Sequence, residues 1–113
     1  MMNYIRYFQK YKYQREIDDC WTLVQEIFKD EQDIILPDCP IMTDYTEFAG
    51  YLKSNLKYKQ IDKPHKGCLI YLHYGEINHA GYAISDKKFI HRTKSNVEVT
   101  NIPAKALIYE IYK

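Results

Sequence analysis

The chain has 113 residues, of which 46% are hydrophobic and 27% charged, with 16 Lys and Arg against 15 Asp and Glu. That length holds one compact domain and that apolar share supplies its core, so extended disorder is not expected. No apolar run approaches the roughly 18 residues that span a bilayer, which excludes helical membrane insertion.

The near-neutral total hides three blocks of charge. Residues 1–15 carry Arg6, Lys10, Lys12 and Arg15 with no acid, interleaved with Tyr4, Tyr7, Phe8, Tyr11 and Tyr13. Such an arm can stack on bases and grip phosphates, but the simpler reading docks its rings on the domain, and no nucleic-acid partner is expected. The start has no apolar h-region, so no secretory signal is expected. Residues 16–47 hold ten acids against Lys29 alone, and residues 48–113 hold eleven bases against five acids.

A helix is predicted from Asp19 to about Lys29, where Cys20, Leu23, Val24, Ile27 and Phe28 repeat at the spacing of one helical face. Asp18 or Asp19 is its expected N-cap. Pro37, Asp38 and Pro40 mark a loop. Thr43 or Asp44 then caps a second helix, with Tyr45, Phe48, Leu52 and Leu56 along one side. Beyond Lys63-Pro64-His65-Lys66-Gly67 the pattern changes to short strands over residues 68–74, 77–84, 89–93, 97–100 and 107–112. Turns are expected at Gly75-Glu76, Asp86-Lys87, Lys94-Ser95-Asn96 and Asn101-Ile102-Pro103. Helices first and an antiparallel meander second predict an α+β fold. One domain is expected over residues 1–113, its N-terminal helices packed on a small curved antiparallel sheet of about five strands.

Three cysteines, Cys20, Cys39 and Cys68, make no disulfide framework. Cys39 and Cys68 are expected to be small buried hydrophobes. Cys20 stands in the first turn of the first helix, where the helix end stabilises a thiolate. Asp18 and Asp19 oppose that effect, so a histidine must supply the rest. His79 and His91 are twelve residues apart across the hairpin at Asp86-Lys87. Cross-strand neighbours there have indices summing to about 173, against 170 for this pair, which brings both rings to one face of the sheet. Ala80 and Gly81 leave space beside the first ring. His65 and His73 have no second polar partner in sight and are expected to be surface or packing residues. Zinc held by Cys68, His73, His79 and His91 is a competing reading, but no Cys-x-x-Cys or His-x-x-x-His pair supports it, and strand alternation would divide the ligands. No metal and no cofactor are expected.

The order Asp19-Cys20-x-x-Leu23-Val24, Gly67-x-Leu69-Ile70-Tyr71-Leu72, His79-Ala80-Gly81-Tyr82 and Lys88-Phe89-Ile90-His91 resembles the NlpC-type cysteine peptidases. The usual forms in that family are Asp-Cys-Ser-Gly, Gly-Asp-Leu-Val-Phe-Phe, His-Val-Gly-Ile-Tyr and Lys-Phe-Ile-His. The resemblance implies a papain-like core, with Cys20 as nucleophile, His79 as base and His91 as the residue that orients it. It implies a tyrosine hydroxyl facing the oxyanion, for which Tyr13 is the nearest counterpart and Tyr11 the next. Trp21-Thr22 replaces Ser-Gly, and a Trp after the Cys resembles the branch found in bacteriophage tail proteins. Cys68 stands where the family has Asp, and Asp38-Cys39-Pro40 follows Leu36-Pro37 where the family often has Arg.

The implied activity is cleavage of a peptidoglycan stem peptide, typically between D-glutamate and a diamino acid. The implied setting is a protein made in the bacterial cytoplasm and carried to the cell wall with a phage tail or hub complex. The alternative is a catalytically idle structural or assembly subunit of such a complex.

Overall fold

The computed structural model describes residues 7, 19–37, 45–74, 77–92 and 97–113. The apolar stripe at helical spacing forms α1, Asp19–Gln32. Its buried residues Leu23, Val24, Ile27 and Phe28 have no exposed surface. The helix ends where Asp33 takes a left-handed conformation (φ 56°), which the short polar side chain tolerates. The Asp33 and Ile34 amides then cap the carbonyls of Lys29 and Phe28. Helix α2 is Tyr45–Asn55; its expected caps, Thr43 and Asp44, lie outside the described residues, as does Cys39.

Six strands follow: β1 Lys57–Ile61, β2 Leu69–Tyr74, β3 Ile77–Ala83, β4 Lys88–Arg92, β5 Val97–Asn101 and β6 Leu107–Tyr112. They form one sheet in the order β1-β6-β2-β3-β4-β5, and every neighbouring pair is antiparallel. Five strands match the sequence expectation. The sixth, β1, is a correction. Its sequence Lys57-Tyr58-Lys59-Gln60-Ile61 is largely exposed and polar because it is an edge strand, so alternation gives it no apolar face. A second correction concerns Asp19, which is itself the first helical residue, so Cys20 is the second residue of α1 and still in its first turn.

The sheet buries both faces. On one, Leu69, Tyr71, Ala80, Tyr82 and Ile90 join the buried stripe of α1 in the larger core cluster. There Phe28 meets Tyr82 edge-to-face with ring centroids 5.0 Å apart. On the other face Cys68, Ile70, Leu72, Ala83, Phe89 and Ile108 form a smaller cluster, against which Ile61 and Ile102 pack. Ile61 ends one edge strand and Ile102 follows the other, so residues from both edges of the sheet cover this face.

Tyr7 is buried in the larger cluster, and its hydroxyl donates to Asp30 Oδ2 at 2.8 Å. At that position of the basic arm the ring is docked on the chain's own core, as the simpler reading of the arm has it. The rest of residues 1–15, including Tyr11 and Tyr13, lies outside the described residues.

Candidate active site

Helix α1 packs on β3 and β4, the strands that carry His79 and His91. Cys20 is half-buried at the start of α1, in contrast to the fully buried residues behind it on the same stripe. Neither Cys20 nor Cys68 is in a disulfide. Cys68 has no exposed surface, and burial pushes its thiol up. The two thiols therefore have different chemistry: one reachable at a helix end, one sealed and held protonated.

The histidines meet. Nε2 of His79 and Nδ1 of His91 are 2.6 Å apart, and the rings are nearly perpendicular at a centroid separation of 4.8 Å. The register explains why. Gly81 pairs with His91, Tyr82 with Ile90 and Ala83 with Phe89, so paired indices sum to 172 and His79 is the diagonal neighbour of His91 on the same face. Ala80 and Tyr82 belong to the cluster shared with α1, so the alternate positions His79 and Gly81 lie on the other face, with Phe89 and His91.

Phe89 fixes the second ring. It stacks on His91 at 4.2 Å between centroids with planes 5° apart. Gly81 makes this possible, since a Cβ there would meet the Phe89 ring and lie 2.9 Å from the Ile90 carbonyl oxygen. The space left by Gly81 is thus filled by Phe89 rather than open beside His79, which corrects the sequence expectation.

Burial and the neighbouring His91 push His79 down to about 4, and burial lowers His91 as well. Both rings are therefore neutral at pH 7 when no counter-charge faces them. Two neutral rings at this distance share one proton, one donating and one accepting. Nε2 of His79 is engaged in that contact, so Nδ1 is the nitrogen left to exchange a proton with a nucleophile.

Two residues escaped the sequence. Thr100 on β5 lies 2.9 Å from Nε2 of His91 through Oγ1. The other is Glu110, which bonds His65 Nε2 at 2.7 Å; His65 is on the surface as expected, but it does have a second polar partner. That bond raises the His65 imidazole. The side chain of His73 lies outside the described residues. Among the described residues no group of three or more His, Cys, Asp or Glu could hold a metal ion. Two surface clefts, of about 460 and 420 Å³, open elsewhere and include neither Cys20 nor the His79–His91 pair.

The fold thus carries a half-buried cysteine in the first turn of α1 and a bonded histidine pair on β3 and β4, with the core stripe of α1 on one face of those strands and the two rings on the other. The family model of the NlpC/P60 family matches residues 8–112, and the chain belongs to that family. Its members are generally cysteine peptidases that hydrolyse peptidoglycan, so membership points to cell-wall peptidase activity. No curated protein and no solved structure matches the chain.

Proposed function

We propose that the protein is a peptidoglycan endopeptidase that cleaves a stem-peptide amide, between D-glutamate and a diamino acid, through a thioester on Cys20. The contact between His79 Nε2 and His91 Nδ1 carries this reading. It fixes the ring of His79 and reserves Nδ1 for the thiol proton. In this reading Cys20 Sγ attacks the amide carbon as its proton passes to His79 Nδ1. The C–N bond then breaks as the same nitrogen protonates the leaving amine. Water, deprotonated by His79, hydrolyses the thioester and restores the thiol. Tyr13 supplies the hydroxyl toward the oxyanion.

Incubating purified sacculi with the wild type and Cys20→Ala tests this directly. The wild type releases soluble muropeptides cut at the D-glutamyl bond, and the variant releases them more slowly by at least about a thousandfold. Equal release by both, or none by either, overturns the reading.

The cell-wall substrate and the segregated charge also support a role as a phage tail-tip component. An acidic block flanked by basic ones suits docking on an oppositely charged protein surface. Trp21 after the nucleophile fits the same branch. Mass spectrometry of purified particles finds the chain in the tail if this is right; its presence only free in lysates sinks that role and leaves the peptidase reading standing.

A further inference from the structure

His91 has two ring nitrogens, and both are bonded. Nδ1 faces His79, while Nε2 faces the hydroxyl of Thr100 at 2.9 Å. Thr100 pairs with Phe89 across β4 and β5, which places it on the face that carries both histidines. Although Glu98 is the Cα partner of His91, the ring nitrogen meets the neutral hydroxyl.

We propose that Thr100 is a positioning residue that ends the chain His79–His91–Thr100 as a hydrogen-bond acceptor and so holds His91 in the tautomer that His79 needs when it takes up a proton. The activity arm of this proposal rests on the peptidase reading above; the tautomer arm does not.

The proton order follows from the donors and acceptors. When His79 gains a proton on Nδ1, both of its nitrogens carry hydrogen, so its Nε2–H must donate and His91 Nδ1 must accept. Neutral His91 then bears its single hydrogen on Nε2, and that N–H requires an acceptor in a half-buried place. Thr100 Oγ1 is the acceptor, and its own hydrogen rotates away. A carboxylate there would add a charge to the chain and hold a proton on the rings. An N–H donor there would force the opposite tautomer. The Phe89 stack keeps the His91 ring plane fixed, so that both nitrogens point along their two bonds.

The test uses the full chain with ¹⁵N-labelled histidine as wild type, Thr100→Val and Thr100→Ser. Valine keeps the shape and strand preference of threonine and removes only the acceptor. Long-range ¹H–¹⁵N spectra at pH 7 read which nitrogen of His91 is protonated, and muropeptide release gives kcat and KM. Wild type and Thr100→Ser should show one His91 tautomer, protonated on Nε2. Thr100→Val should show a mixture or the opposite tautomer, with kcat lowered on the order of tenfold and KM unchanged. A Thr100→Val protein that keeps the single Nε2–H tautomer overturns the proposal, as does a Thr100→Ser protein that behaves like valine. If no protein, wild type included, releases muropeptides, the peptidase reading fails and the spectra still decide the role of Thr100.

Discussion

Cys20 and Cys68 are the same side chain in opposite surroundings. Cys68 is sealed in the smaller core cluster, where burial raises its thiol, while Cys20 is half-buried in the first turn of a helix, whose dipole favours a thiolate. Brief iodoacetamide treatment of the folded protein at pH 7.5 should therefore label Cys20 at least about tenfold faster than Cys68. His79→Ala should slow the Cys20 reaction, because no base remains to take the thiol proton. Peptide mapping reads both rates; faster labelling of Cys68, or a Cys20 rate indifferent to His79, removes Cys20 as nucleophile. The His79–His91 meeting was legible in the sequence because a hairpin ties spacing to register, and the observed sum of 172 lies between the expected 173 and the pair's own 170. Thr100 was not legible. A threonine in Val97-Glu98-Val99-Thr100 has the composition of any strand, and only the β4–β5 register brings its hydroxyl to a ring.

Helix α1 is held at both ends, and each brace is a long-range contact. At its start, Trp21 Nε1 donates to the Pro37 carbonyl at 3.0 Å, and Tyr51 OH from α2 donates to the same oxygen at 2.7 Å. The two rings also meet edge-to-face at 5.6 Å. At its end, Gln32 Nε2 donates to the Gly67 carbonyl and the Tyr82 hydroxyl, at 2.9 and 3.0 Å. Tyr51→Phe keeps the ring and removes one donor, so it should cost about 1 kcal/mol of stability. Trp21→Phe removes the other donor and part of the ring packing, and should cost about 2 kcal/mol. Because both act on one carbonyl and on each other, the double variant should lose less or more than the sum by at least about 0.5 kcal/mol. Urea unfolding of the four proteins measures this, and strict additivity would mean that the two rings act independently. The apolar stripe made α1 readable from sequence, whereas the brace was hidden: Trp21, Pro37 and Tyr51 are far apart along the chain. Strand β1 was hidden for the opposite reason, since an edge strand needs backbone partners and little apolar side chain.

The molecule as a whole inherits the pH behaviour of its histidines. In the unfolded chain His79 has the ordinary value near 6.5, and in the fold it sits at about 4. Above pH 6.5 both states leave it neutral and it contributes no pH dependence. Between 6.5 and 4 the unfolded state binds the proton that the folded state refuses, so stability falls as pH falls. The full drop corresponds to about 3 kcal/mol, and His91 pushes in the same direction. His65 works the other way: its bond to Glu110 raises it, so its stabilisation is complete below 6.5 and is lost as pH rises through the folded value. That pair is largely exposed and screened, so the buried rings should set the trend. Thermal unfolding should therefore hold steady from pH 8 to about 6.5, then lose on the order of 10 °C by pH 4.5. Glu110, held low by its bonds to Tyr112 and His65, adds to the decline near pH 4.5 in the same direction, but it is an exposed and screened group, so the buried histidines carry most of the change. In a His79→Asn, His91→Asn double variant the decline between 6.5 and 4.5 should flatten to a small fraction of its wild-type size. An unchanged decline in that variant would mean that the pair is not buried neutral, and the proton order assigned to His79, His91 and Thr100 would fall with it.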